Sequence, residues 1–352
     1  EQFRNRSLLQ IGEELLQRAG VNTRNYSKTE IAGMLLGKRL GQRGAISTDN
    51  TTASFANITE NVLSKSAMKG FSSQAHVWNQ ICSIGSTSDF KSTSRVGLSE
   101  NADLPLKQEG AEYRQSKFSD KKESGSIGTY ADATTLTEEA LINDDLGVLT
   151  TIPMRKGAAA MRVPETLLFS AINTPPTLNA TSLSWFNANN GSTAAGNKMT
   201  DADGLTSTNL AAAIARMRSF TGFTDSTETN TDYLEIQPKT LLVHQNNAFT
   251  AKILLNSAGL PEASMNSGVI NPFADEGMVS RASSRISTST SFYLFADPNL
   301  YPVAEMLFLD GRVAPESFLD PSTNIDGLTY RIRIRCGLII LEWRTALEFT
   351  VA

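Results

Sequence analysis

Tyr330-Arg-Ile-Arg-Ile-Arg-Cys336 alternates without a break between apolar and cationic residues. Successive side chains of a strand point to opposite faces. The stretch therefore reads as a β-strand that buries Tyr330, Ile332, Ile334 and Cys336 and turns Arg331, Arg333 and Arg335 the other way. From Leu338 to Trp343 the alternation gives way to a continuous apolar run. The arginine row has two readings at this point. One is a solvated edge strand blunted by charge. The other is a ladder that meets carboxylates of another chain, where guanidinium groups pair in a bidentate way.

Working outward, residues 137–172 have helical rather than strand period. Leu141, Ile142, Leu146 and Leu149 share a face, and Arg155 to Ile172 is Ala-rich with Met161, Val163, Leu167 and Leu168. Pro153 is expected to interrupt and restart the helix, and Pro164 to kink or break it near Met161. Thr208 is expected to cap a helix from Leu210 to Phe220. A buried strand is read at Leu241 to Val243, with His244 as a polar plug at its end. Asn247 to Ser257 reads as a helix with Phe249, Ile253 and Leu254 facing inward. Leu183 to Phe186 reads as a strand. Ser291 to Ala296 and Ala304 to Leu309 read as paired strands joined by an Asp297-Pro-Asn turn.

The N-terminal region differs. Leu8, Ile11, Leu15 and Leu16 lie on one stripe of an amphipathic helix over 7–19. Ser27-x-x-Glu30 forms a capping box before Ile31. Residues 41–54 form a Gly/Thr/Ser/Asn linker, and Phe55, Ile58, Val62 and Leu63 mark a third short helix. These pieces are too small to make a core alone and must pack on the main body or on a neighbouring subunit. Residues 85–130 are polar with thin apolar alternation. They read as a long two-stranded excursion, which is marginal in water unless it lies on a surface.

Composition narrows the function. The chain has 352 residues, which suggests about two domains at ~150 residues each. Its 32 Lys and Arg against 36 Asp and Glu give a net charge of −4. That excludes a strongly basic nucleic-acid binder. No apolar run approaches the ~20 residues of a membrane span, and no signal peptide opens the chain. Cys82 and Cys336 make no metal spacing and read as free thiols of an intracellular product, with a single long-range disulfide as the other option. Glu1 stands where a start Met would, which fits either a trimmed or a proteolytically matured end.

The catalytic inventory is thin. His76 and Cys82 lie six residues apart, but the segment around them reads as an apolar anchor with Val77, Trp78 and Ile81 inward. Gly33 to Arg39 is too short for a Walker loop. Asn143-Asp144-Asp145 and Asp201-Ala-Asp203 complete no calcium loop; the first reads as a helix cap and the second as a turn. No cofactor, metal or catalytic residue is assigned.

A further pattern runs through residues 83–344 in order. It comprises Gly85 to Arg95, Glu109-Gly-Ala-Glu-Tyr113, Ser119 to Glu123, Leu141-Ile-Asn-Asp-Asp-Leu-Gly147, Pro238 to Val243, Tyr293 to Pro298, Phe308-Leu-Asp-Gly311, Asp326-Gly327 and Trp343-Arg344. This series resembles the Mu-type major head subunit of tailed bacteriophages, a family that includes fusions of a prohead protease to the capsid protein. The chain departs from that pattern at 183–196, where Ser184 to Gly191 replaces a turn bearing His and Asp.

The resemblance implies an α+β chain with the Hong Kong 97-type capsid fold. Residues 1–70 would be the N-terminal arm and 90–130 the E-loop. The P-domain would comprise 71–89, 131–204 and 323–352, with a spine helix at about 140–172, and the A-domain 205–322. The implied function is a non-enzymatic shell protein of the virion, assembled in the host bacterial cytoplasm. Hexamers and pentamers would enclose double-stranded DNA without sequence specificity, with a portal and decoration proteins as possible further partners. Removal of an upstream segment would account for Glu1. Arg331, Arg333, Arg335, Leu8, Ile11 and Leu15 are the expected inter-subunit contacts. An encapsulin-like nanocompartment shell is the alternative within the fold, and a small Cys/His hydrolase the alternative outside it.

Overall fold

The computed structural model describes residues 10, 13, 14, 16, 17, 23–26, 28, 31, 63–73, 76–98, 106–110, 112, 113, 120–137, 148–190, 196–222, 233–259, 270–321 and 327–351. Leu8, Ile11, Leu15, the capping box at Ser27, the linker at 41–54 and the acidic run 143–145 lie outside them. The chain divides into two compact units. One holds residues 1–76, 128–163 and 312–336, and the other 77–127, 164–311 and 337–352.

The strands of the second unit are β1 (Cys82–Thr87), β2 (Thr93–Leu98), β3 (Asp120–Gly125), β5 (Lys198–Asp201), β6 (Pro238–His244), β7 (Val279–Ser283), β8 (Phe292–Ala296), β9 (Ala304–Leu309) and β12 (Ala346–Val351). Its main sheet has the order β5-β12-β8-β6-β7. Strands β12, β8 and β6 run antiparallel in turn, and the outer strands β5 and β7 pair in parallel. The centre is largely apolar: Leu241, Leu242, Val243, Phe292, Leu294, Phe295 and Leu347 are buried. Phe292 and Phe349 stack at 4.8 Å between ring centroids.

Helix α1 (Trp78–Ile81) leads into β1, and its Trp78 and Ile81 are buried as expected. The carboxylate of buried Glu165 accepts the backbone N–H groups of Val77 and Trp78 at 3.0 and 3.1 Å. It thereby satisfies donors that the start of a short helix leaves unpaired.

Several expectations are corrected here. Strands β8 and β9 do not pair: β8 lies between β12 and β6, whereas β9 runs parallel to β1. The Asp297 turn carries the chain from one sheet to another instead of closing a hairpin. Leu183 to Phe186 is not a strand but contributes one bridge, Thr177 to Ser184. Helix α3 spans Ser207–Arg218 and is capped by Thr206, whose hydroxyl accepts the Asn209 N–H at 3.2 Å. Its stripe Leu210, Ala213, Ile214 and Met217 is buried. Helix α4 (Ala248–Asn256) buries Ala251, Leu254 and Leu255, while Phe249 and Ile253 are exposed. Both of its faces are apolar, so composition could not fix its phase; packing on the sheet did.

A knot of asparagines ties residues 184–190, 196 and 197 to the sheet. Asn190 and Asn197 are fully buried. The Asn197 amide donates to the carbonyls of Trp185, Trp343 and Ala346 at 2.9, 3.0 and 3.1 Å. Its Oδ1 accepts from the Asn190 amide and from the Asn187 N–H. This is the region where the sequence departs from the resembled pattern.

Helix α2 (Val148–Asn173) gives residues up to 163 to the first unit and the rest to the second. It runs through both Pro153 and Pro164 without a break, against expectation. Each proline deprives one carbonyl of its bond. Burial of Met161, Leu168, Phe169 and Ile172 along the same helix outweighs that loss. No described helix is long and apolar enough to cross a membrane.

In the first unit a helical segment over 63–72 lies against α2 with backbones touching. A Cβ built on Gly70 would stand 1.9 Å from the Met154 carbonyl oxygen, and one on Gly157 would stand 1.9 Å from that of Ala67. The two glycines are reciprocal: each helix opens a gap for the other's main chain.

Candidate assembly interface

Strand β11 (Gly327–Ile340) pairs antiparallel with β4 (Gly128–Thr137) on one side and with β10 (Glu316–Pro321) on the other. It is therefore an interior strand, which corrects the edge-strand reading. The alternation holds as read: Tyr330, Ile332, Ile334 and Cys336 are buried.

On the opposite face the register sets Glu316 across from Arg333 and Phe318 across from Arg331. Arg333 Nε donates to Glu316 at 2.7 Å, and Arg335 lies 3.6 Å from the same carboxylate. Arg331 pairs with Asp320. The Arg333 guanidinium also sits 4.5 Å from the centroid of the Phe318 ring. The arginine ladder thus finds carboxylates within its own chain. Along β4 the residues opposite the arginines are small, Ala133, Ala131 and Thr129. The three guanidinium groups stand over a flat floor.

The Glu316 carboxyl is held below the usual carboxylate range. The Arg333 hydrogen bond is the main cause, opposed by partial burial and supported by the charges of Arg335, Arg333 and Arg312. A depressed folded pKa gives stability that is complete above the unfolded value and is lost as pH falls through the folded one. Glu316→Gln should therefore lower the melting temperature at pH 7, and the gap to the parent should narrow as pH falls through the depressed carboxyl value. Parallel thermal melts from pH 7 to pH 3 check this; a gap independent of pH would contradict it.

The excursion expected at 85–130 is present as a two-stranded antiparallel ribbon, β2 with β3. Its root is fixed to the body by charges. Arg95 forms a bidentate pair with Glu305 at 2.6 and 2.7 Å. Lys121 pairs with Glu342, which also accepts from Arg344 at 2.9 Å. The buried Glu123 carboxylate accepts the N–H groups of Asn179 and Ala180 at 3.0 and 2.9 Å. None of these anchors was singled out from the sequence. The residues themselves carry little signal: Glu316-Ser-Phe-Leu-Asp320 and Asp120-Lys-Lys-Glu-Ser-Gly125 show no apolar/polar alternation.

The His76/Cys82 pair does not form a nucleophile. Cys82 is buried, and burial together with the nearby Glu165 charge pushes its thiol well above its ordinary value. Burial likewise raises the Cys336 thiol to about 12. Both cysteines are free. Asp201 accepts the backbone N–H of Ala202, as a turn residue does. Among the described residues no cluster of His, Cys, Asp and Glu could hold a metal ion.

Similar solved structures share this architecture. The capsid of a native GTA particle matches with a TM-score of 0.56 at 10% identity, covering 79% of this chain and 92% of that one. The capsid of cyanophage P-SCSP1u matches with a TM-score of 0.51 at 12% identity, covering 79% and 89%. A structure of Mycobacterium phage Adephagia matches with a TM-score of 0.50 at 11% identity, covering 79% and 91%. At these identities the likeness establishes the fold alone, a mixed α+β fold of the Hong Kong 97 capsid type. None of the curated protein sequences compared matches the chain. The family model for phage capsid proteins matches residues 121–348, well over half of the chain. That span takes in β3, the long helix, the main sheet and the arginine strand, and the role it carries is structural and not enzymatic. The chain belongs to the phage capsid protein family, a component of the virion shell that works as an assembly of copies of itself.

Proposed function

We propose that this chain is a Mu-type major head subunit whose copies form the hexamers and pentamers of an icosahedral shell around double-stranded DNA. The observation that carries the reading is the ribbon, which offers Val96 and Leu98 to solvent while Arg95, Lys121 and Glu123 are spent on its own body. A strand pair of that kind is incomplete until something covers it. Head-to-tail contacts around local axes close such subunits into rings. The net charge of −4 suits a wall that holds DNA without gripping it.

In this reading residues 1–70 are the arm, 90–130 the E-loop and 205–322 the A-domain. The remaining segments, 71–89, 131–204 and 323–352, make the P-domain. Arg331, Arg333 and Arg335 keep N–H donors beyond their in-chain carboxylates, since each guanidinium carries five. They are proposed to offer these to a neighbouring copy, as Leu8, Ile11 and Leu15 are proposed to offer an apolar stripe. Proteolytic maturation of the N-terminus, a portal and decoration proteins come with the Mu-type reading. Negative-stain imaging and sedimentation of the purified chain test the core of it. Closed shells are expected; a monomer that persists at high concentration would overturn it.

A further inference from the structure

The register of the ribbon assigns its two faces. Residues opposite one another share a face. Thr93, Arg95 and Gly97 therefore lie with Gly125, Glu123 and Lys121, and Ser94, Val96 and Leu98 lie with Ser124, Lys122 and Asp120. The first set is turned to the body, as the pairs Arg95–Glu305 and Lys121–Glu342 require. The second set is outward: Val96 is 60% exposed, Leu98 is 69% exposed, and Lys122 and Asp120 are exposed beside them. This inverts the usual order of a half-buried sheet, in which apolar residues face the core and charges face water.

The outward face also has a definite charge layout. Val96 and Leu98 form a row on β2, Lys122 stands opposite Val96, and Asp120 stands opposite Leu98. The patch is neutral, with one cation and one anion at neighbouring corners. Consider a second copy stacked on it about a two-fold axis that lies in the interface and crosses the strands. Val96 then meets the partner's Leu98, and Lys122 meets the partner's Asp120. Both contacts occur twice. A shift of one pair along the strands would bring like charges together, and a parallel stacking would set each charge on an apolar side chain.

We propose that the outward face of the β2–β3 ribbon is an isologous contact between two copies of this chain, held by Val96 and Leu98 and keyed by Lys122 and Asp120. The proposal rests on the self-assembly reading and names which surface and which symmetry serve it. A contact keyed this way rejects wrong registers by charge repulsion as well as selecting the right one.

The test uses the full chain with Leu98→Cys and a short bis-maleimide. The native cysteines are buried, so the reagent has one target. A covalent dimer is expected, in shells and in the concentrated soluble chain. Lys122→Glu and Asp120→Lys, each added alone, should cut the dimer yield about fivefold or more, equivalent to ~1 kcal/mol over the two symmetry-related keying pairs. The combined exchange K122E/D120K should restore it to within about twofold, because the layout is inverted in both copies and remains complementary. Absence of dimer, or a double variant as poor as the single ones, would overturn the contact. Circular dichroism confirms that these exposed substitutions leave the fold intact. Shells without the dimer would sink the contact and spare the assembly reading. Dimer without shells would do the reverse.

Discussion

Gly157→Leu should release the helical segment 63–72 from α2 and leave the long helix itself intact. The reason is distance. The Cβ alone would stand 1.9 Å from the Ala67 carbonyl oxygen, and the obstacle is main chain, which no rotamer change can move aside. Leucine has the better helix propensity by about 1 kcal/mol, which favours α2 locally. Overpacking costs of ~1–3 kcal/mol or more oppose it. Here the steric term wins because the clash is with backbone on a neighbouring helix. Leu63 and Ala67, now buried, would be exposed. Hydrogen exchange and limited proteolysis should show 63–72 becoming accessible while 158–173 stays protected. Arg155→Leu, an exposed position on the same helix, serves as the control. Unchanged protection of 63–72 in the Gly157 variant would refute the close-packing account. Gly70, the reciprocal partner, should behave in the same way.

Asn197→Ala should destabilise the main sheet by about 4 kcal/mol or more. Its amide serves three carbonyls on two different segments, and its oxygen serves two donors. Removing one partner leaves buried groups unsatisfied, at ~1–3 kcal/mol each. The melting temperature should fall by about 10 °C, at roughly 2–4 °C per kcal/mol for a unit of this size. Asn197→Asp should be worse at neutral pH although its shape is the same. It turns an acceptor toward three carbonyl oxygens and buries a charge. Thermal melts decide this, and a loss below about 1 kcal/mol for either variant would show that the knot is dispensable.

The strand and helix cores were readable in the sequence because period and burial coincide there. The arginine strand follows from alternation, the stripe of α3 from helical period, and β6 and β8 from short continuous apolar runs. What escaped depends on partners far away in the chain. Glu316 and Asp320 become meaningful only when β10 lies beside β11. Gly70 and Gly157 are 87 positions apart and mark nothing until the helices touch. The pairing of β8 with β9 failed for the same reason, since a turn signal such as Asp297-Pro-Asn says that the chain bends but not onto which sheet. The prolines in α2 misled in the other direction. A local rule was correct about the cost of each proline and silent about the burial that exceeds it. As for the assembly surface, the ribbon was legible as an excursion, but its inverted polarity appears only once the register is known.

That register also limits how this limb can change length. With a repeat of two residues per pleat, adding or removing one residue within β2 would swing Arg95 outward and press Val96 and Leu98 against the charged seat at Glu305 and Glu342. Two-residue changes would leave both sides as they are. Descendants of this chain should therefore vary the lengths of β2 and β3 in even steps.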